Sequence, residues 1–426
     1  MFYNLCLLMR FVFLKRIFMR ILLIHQNFPG QYKHLAPALA ARGHQVVALG
    51  MHEMVAMPGV TTLRYGLARA PMANLDTSLG EFEAKRLRGE SAAQACAQLR
   101  TQGFVPDVIG VHPGWGEALF LHLVYPEVPQ IHYCEFFYNT QNSDTDFDPE
   151  FLDTSFANLS RITLKNSNNL LSLQYMRVGM SPTHWQRQQF PTRYRDAITV
   201  IHDGIDTQRV APNPTANLTL NPSMPPLQVG DEVITFVNRN LEPCRGFHTF
   251  MRALPALLAD RPKAQVVIVG GESVSYGRLP TDFPNWKAAL LAEVGEQLDL
   301  SRVHFVGNIP YAAFLSLLQI SAVHVYLTYP FVLSWSLLEA MSAGCLIVAS
   351  NTPPVTEVIR HHETGYLVDF FDPNALCTQI IEALENPAFG QQLRQQARAL
   401  AQARYDLMSV CLPQQLALFE QTVFGT

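Results

Sequence analysis

The chain has 426 residues, of which 15% are charged and 48% hydrophobic, with a formal net charge of −4. Such a composition describes a soluble globular protein with room for two domains, and it excludes the basic footprint of a nucleic-acid binder. Seven scattered cysteines without a CxxC pair argue against a disulfide framework or a structural zinc site and favour a reducing cytoplasm.

Met1 to Phe18 is apolar and basic, with Arg10, Lys15 and Arg16. It is too short and too charged to span a bilayer, which takes about 20 apolar residues, and it lacks a signal-peptide cleavage site. One reading is a basic amphipathic segment lying in a membrane interface, giving peripheral contact at the inner face. The favoured one is translation from Met19, since Met19-Arg20-Ile21-Leu22-Leu23-Ile24 opens cleanly as a strand.

Ile21–His25 reads as that strand, followed by a loop through Gly30, which lets the backbone approach a ligand. A helix ending at Arg42-Gly43-His44 and a strand over Val46–Leu49 complete a β-loop-α-β order, which predicts right-handed crossovers and a parallel sheet. Glu81–Thr101 is helix-like. Pro106–Val111 is a strand ending in His112-Pro113-Gly114-Trp115-Gly116-Glu117. Its Gly114-x-Gly116 lacks the third glycine and the distant acidic residue of a dinucleotide fingerprint, which argues against a nicotinamide enzyme. Val128–Tyr133 is a further strand running into Cys134 and Glu135. Residues 140–150 carry Asp144, Asp146 and Asp148 without the glycine and closing glutamate of a calcium loop, so a solvated loop is expected. Phe156–Asn166 reads as a helix, Gly179-Met180-Ser181-Pro182 as the start of another, and Ile198–Asp206 as strand then turn.

Residues 211–229 contain five prolines and three asparagines and read as a linker. Strands at Glu232–Asn238, Gln265–Gly270 and Val303–Val306 follow, with helices at Gly246–Ala259 and Tyr311–Gln319 between and after them. The stretch Asn238-Arg239-Asn240-Leu241-Glu242-Pro243-Cys244-Arg245-Gly246 puts two arginines at the end of a parallel strand, where they suit diphosphate oxygens. Residues 322–328 and 345–349 read as strands flanking a short helix with Ser334 at its start and Gly344 at its stop. A helix N-terminus beyond the carboxyl end of a parallel strand favours a phosphate. Glu339 is placed to reach a ribose, although Ser336-x-x-Glu339 also has capping-box spacing. Helices at Pro373–Glu385 and Pro387–Arg404, and a last one up to Val423, close the chain.

Leu337-Leu338-Glu339-Ala340-Met341-x-Ala343-Gly344, then Pro353, Glu357 and Thr364-Gly365-Tyr366-Leu367-Val368, resembles the family 4 (group 1) retaining glycosyltransferases. The resemblance implies the GT-B fold, an α/β arrangement of two Rossmann-like doubly wound domains facing each other across a cleft. The expected division is 19–210 for the acceptor domain, 211–229 for the linker, 230–403 for the nucleotide-sugar domain, and 404–426 for a helix crossing back to the first.

The activity it implies is transfer of a sugar from a nucleotide-diphospho-sugar to a glycan, lipid or small-molecule acceptor, with no metal or other cofactor and no nucleic-acid partner. Arg239 and Arg245 would stabilise the leaving diphosphate, Arg245 standing one residue further on than the family's lysine. Donor contacts would come from Glu339, from Ser334, Trp335, Ser336 and Leu337, from Gly307-Asn308-Ile309 around the base, and from Gly30. Phe331 stands where the family has a glutamate against the donor sugar. His112 would join the two arginines as a catalytic residue, and Glu135, within a variant His132-Tyr133-Cys134-Glu135 motif, would face the acceptor, with His25 and Glu117 as weaker candidates. His202-Asp203-Gly204-Ile205-Asp206 would shape the hinge. The alternatives are a catalytically silent nucleotide- or glycan-binding module of the same fold, and a nucleotide-sugar epimerase.

Overall fold

The computed structural model describes residues 18–425; the expectation for the apolar, basic N-terminal stretch lies outside the described residues, Phe18 apart. Apolar runs buried on both faces form two parallel sheets, as such runs must when helices cover each side. The first has seven strands in the order β3-β2-β1-β4-β5-β6-β7: β1 (Arg20–Ile24), β2 (Gln45–Gly50), β3 (Val60–Arg64), β4 (Val108–Val111), β5 (Gln130–Tyr133), β6 (Met176–Ser181) and β7 (Ile198–Val200). A short antiparallel pair, β8 (Asn217–Leu218) and β9 (Leu227–Gln228), follows. The second sheet has six strands ordered β12-β11-β10-β13-β14-β15. These are β10 (Val233–Asn240), β11 (Gln265–Gly271), β12 (Val303–Gly307), β13 (Val323–Tyr326), β14 (Ile347–Ser350) and β15 (Tyr366–Val368).

In each sheet the strand order reverses beside its first strand, between β1 and β4 and between β10 and β13. Loops leaving the carboxyl ends at such a point splay apart and leave a crevice for a ligand. Those loops are residues 25–31 and 112–117 in the first domain and 241–246 and 327–334 in the second.

Two local expectations are corrected, and two further segments take structure that the sequence did not show. Gly179-Met180-Ser181 is the end of β6, and the helix starts later, at His184, where the Thr183 hydroxyl accepts the Gln186 N–H at 3.1 Å. Strand β3 went unread because, at the sheet edge, none of its residues is fully buried. The proline-rich linker is folded rather than loose, with Ala216 and Leu227 buried against Val233, Val237 and Val267.

The second correction is the acidic loop over residues 139–155, which is no solvated loop but a strap from the first domain onto the second. Phe147 packs edge-on or tilted against Tyr329, Phe370 and Phe371. Asp148 accepts a hydrogen bond from the Tyr329 hydroxyl and lies 3.2 Å from His248 Nε2, and Glu150 pairs with Arg252 at 2.7 Å. Phe147→Ala is expected to cost about 1–3 kcal/mol, since the ring is only partly buried. Limited proteolysis within 139–155 should speed up; unchanged cleavage would show that the strap is held without it.

From the other side, the Glu357 carboxylate accepts the His184 and Trp185 N–H groups at 2.9 Å each, capping a first-domain helix. The chain then returns. Leu407 N–H bonds Ile205 O at 2.8 Å, and the helix Leu412–Phe424 lays Phe419 against Gly110 of β4, where a Cβ would sit 2.8 Å from the Phe419 ring. Among the described residues no helix is long and apolar enough to cross a membrane.

Candidate functional site

The two switch-point crevices face each other and enclose a cavity of ≈ 190 Å³. Gln31, Tyr133, Glu135, Pro182 and Asp203 line it from the first domain; Arg239, Arg245, Tyr276 and Val332 to Trp335 are among those lining it from the second.

The second-domain wall is built on the chain leaving β10. The turn Pro243–Arg245 closes on Gly246 at φ +71°, where a Cβ would come 2.2 Å from Leu327 Cβ, so only glycine fits. This close approach buries Arg245. Its Nη1 donates to Thr328 Oγ1 at 2.8 Å and to Val332 O at 3.1 Å, and the guanidinium lies 5.5 Å from the rings of both Tyr276 and Phe331. Its hydrogen-bond partners are neutral, so no carboxylate is bonded to it beside the cavity. Arg239, one residue before the end of β10, is exposed in the same cavity. Glu242 between them is buried and accepts backbone N–H groups from Ser275, Tyr276 and Gly277 at 3.2, 3.1 and 2.9 Å, fixing the loop that carries Tyr276.

The helix Trp335–Ala343 starts at this wall. Ser334 is its N-cap, but Ser334 Oγ takes the Ser336 N–H at 3.3 Å and Ser334 O takes the Leu337 N–H at 3.3 Å. The terminus therefore presents its dipole more than free donors. Leu337 is fully buried and Trp335 exposed. Glu339 does not form a capping box. Its carboxylate accepts the Tyr311 hydroxyl at 2.7 Å, and burial raises its pKa against that hydrogen bond and the charges of Lys33 and Arg209. Glu339 and Gly307-Asn308-Ile309, at the end of β12, stand outside the ≈ 190 Å³ cavity.

On the first-domain wall, His112 Nδ1 accepts the Gly114 N–H at 3.2 Å, which puts the neutral ring's proton on Nε2. That nitrogen stands 3.3 Å from Glu135 Oε2, in an oblique approach that leaves it without a well-formed hydrogen bond. Burial opposes ionisation of Glu135, but His112, His25 and Arg239 together hold its pKa below the usual value. His25 lies edge-on to His112 at 5.3 Å. Burial, and then His112, push its pKa down to about 3, so it is neutral. Gly30, at φ +45°, lies on the His25 ring, where a Cβ would come within 2.6 Å. Glu117 faces the interior instead, accepting the Tyr65 hydroxyl at 2.8 Å, and burial raises its pKa.

Phe331, expected against the donor sugar, is 3% exposed and sits between the domains. Its ring meets Phe136 at 4.7 Å and Tyr276 at 4.6 Å. The cavity wall passes to Val332 and Leu333 instead.

Sequence reasoning passed over Tyr276, Gln31 and the roles of Glu242 and Asp203. Glu242 was visible between the two arginines, and Asp203 in the turn assigned to the hinge. Asp203 Oδ2 accepts both the Tyr133 hydroxyl and the Trp335 Nε1–H, each at 2.8 Å, tying first domain to second. Burial pushes its pKa up to about 7.

Among the described residues no group of three His, Cys, Asp or Glu side chains is arranged to hold a metal ion. A larger cavity of ≈ 580 Å³ opens on the far side of the second domain. Of the arginines lining it, half-buried Arg394 is taken up by the carbonyls of Ser321, Ala322 and Gly344.

Residues 42–210 match the family described as "Glycosyl transferase family 4 group", and residues 223–400 match "Glycosyl transferases group 1". The chain is 27% identical over 214 residues to the D-inositol 3-phosphate glycosyltransferase of a Nocardioides species, covering 49% of this chain. It spans only 44% of that relative's length. Among solved structures, sucrose-phosphate synthase from Thermosynechococcus elongatus superposes with a TM-score of 0.71 at 18% identity, over 96% of this chain and 100% of that one. Anabaena HepE in complex with UDP-glucose gives 0.65 at 15% identity, over 95% and 100%. At these identities the two structures establish the fold, GT-B. With both halves matched in sequence and the two-domain architecture in place, the chain belongs to the family 4, group 1 glycosyltransferases.

Proposed function

We propose that the chain transfers a sugar, with retention of configuration, from a nucleotide-diphospho-sugar to a hydroxyl acceptor held by the first domain. One observation carries the reading. Two arginines with no carboxylate bonded to them face Glu135, which is backed by His112, across a single cleft. Guanidinium groups without a bonded carboxylate at the mouth of a parallel sheet suit a diphosphate, and they stabilise it best as negative charge builds up on departure.

The donor bond then breaks through an oxocarbenium-like transition state, with Arg239, Arg245 and the dipole of the helix Trp335–Ala343 on the leaving group. Glu339 takes the ribose hydroxyls, and the loop Gly307-Asn308-Ile309 borders the base. Glu135 lines the cleft beside the transferred sugar, and His112, its Nε2 buried 3.3 Å from Glu135 Oε2, holds that carboxylate in place. His25 in turn fixes His112. Positive charge comes from side chains, so the reaction calls for no metal or other cofactor. Uridine donors are the first to try, since a protein of the same fold was solved with UDP-glucose.

The test is release of nucleoside diphosphate from a panel of nucleotide sugars, with and without glycan, lipid and small-polyol acceptors, and product anomeric configuration by NMR. An inverted product would overturn retention. Diphosphate binding without turnover across the panel would favour a silent binding module, and conversion of the donor sugar alone would favour an epimerase. Glu339→Ala is expected to weaken UDP binding by about 1.5–3 kcal/mol, the worth of hydrogen bonds to a charged group. Calorimetry showing wild-type affinity in that variant would remove Glu339 from the donor site.

A further inference from the structure

We infer that Asp203 is a substrate-binding residue, whose Oδ1 takes a hydroxyl of a polyhydroxylated acceptor while Oδ2 stays with Tyr133 and Trp335. The inference rests on the glycosyl-transfer reading and names the chemistry of its acceptor side.

Asp203 is 8% exposed and lines the cleft cavity. Both donors that reach it, the Tyr133 hydroxyl and Trp335 Nε1–H, go to Oδ2. Oδ1 is buried with no partner, and Gln31 Oε1 on the same wall of the same cavity is buried with only the His25 ring near enough to donate to it. A buried carboxyl oxygen forfeits its hydration with no return unless something donates to it. Two buried acceptors on one wall suit neighbouring hydroxyls of a sugar or cyclitol, each of which carries one proton to give.

The position is also rigid. Gln415 Nε2 on the last helix donates to His202 O at 3.0 Å and Asp203 O at 3.4 Å. Gly204, at φ +90°, presses that turn onto Leu407, whose Cα would lie 2.8 Å from an added Cβ. A carboxyl held from three sides meets a ligand without the entropic cost of ordering a loop. Arg239 and Arg245 occupy the opposite wall, so a hydroxyl bound at Asp203 belongs to the acceptor.

The experiment is calorimetry on the full chain, first with UDP alone, then with glucose, mannose or myo-inositol added to the UDP-saturated protein. D203N keeps one oxygen for Tyr133 and Trp335 but replaces the other with an N–H₂ that cannot accept. It is expected to keep UDP affinity within about twofold and to lose at least about tenfold in polyol affinity. Q31L, which leaves the Tyr133–Asp203–Trp335 link untouched, is expected to lose about fivefold, and it decides the question should D203N fail to fold. Polyol affinity unchanged in the folded variants overturns the inference alone, as does a wild-type UDP complex that takes none of the three polyols. A wild type that binds no UDP overturns the glycosyl-transfer reading and this inference together.

Discussion

Arg245→Ala is expected to lose most nucleoside diphosphate affinity and to unfold at lower temperature, whereas Arg239→Ala loses affinity alone. Each guanidinium making a charge-assisted bond to the diphosphate is worth about 1.5–3 kcal/mol, roughly one to two orders of magnitude in affinity. The two differ in what else they hold. Arg239 is exposed in the cavity, so its removal leaves the fold alone. Arg245 ties Thr328 to Val332 and fills the space beneath Tyr276 and Phe331. Truncating it costs about 2–4 kcal/mol of second-domain stability, or roughly 5–10 °C in midpoint for a domain of that size. Arg245→Lys keeps the charge but not the planar fork, and should recover only part of either loss. Calorimetry with UDP and thermal unfolding separate the two arginines. Wild-type UDP affinity in both alanine variants would leave the donor reading without its main support.

The parts of this fold legible in the sequence are those whose burial is local. Val46–Leu49, Gln265–Gly270 and Cys345–Ala349 read as strands because every residue but Gln265 is apolar, and they stand at or within a residue or two of β2, β11 and β14. The helix from Trp335 to Ala343 was bounded by Ser334 and Gly344, the two residues whose backbones form its caps. Contacts between domains carry no such period. Phe147 and Phe151 lie among aspartates and glutamates, and they are structural only because Phe370, Phe371 and Trp286 of the other domain receive them. Asp203 looked like turn chemistry for the same reason. Its meaning comes from Trp335, 132 residues away, and from an oxygen that nothing donates to. The arginines were legible because a strand end followed by Arg and Gly is itself a local pattern. That one of them is buried under two aromatic rings was not.

Phe331 draws these threads together. The sequence sets it against the donor sugar, so that Phe331→Ala would chiefly change which sugars are accepted. Its position between Phe136, Tyr276 and the Arg245 cation argues for a larger and different effect. Deleting a buried phenylalanine costs about 3–5 kcal/mol, and edge-to-face pairs add about 0.5–1.5 kcal/mol each beyond burial. Phe136 belongs to the first domain and Tyr276 to the second, so the loss falls partly on domain closure rather than on either core. Phe331→Ala should therefore lower the unfolding midpoint and, in small-angle scattering, give a larger radius of gyration than the wild type. UDP affinity should fall less than in Arg245→Ala, because the guanidinium keeps its bonds to Thr328 and Val332. Phe331→Leu, which refills most of the volume without the ring edges, should lie between. If Phe331→Ala matches the wild type in both scattering and unfolding while its donor preference shifts, the ring belongs to the sugar after all, and the aromatic bridge is incidental to closure.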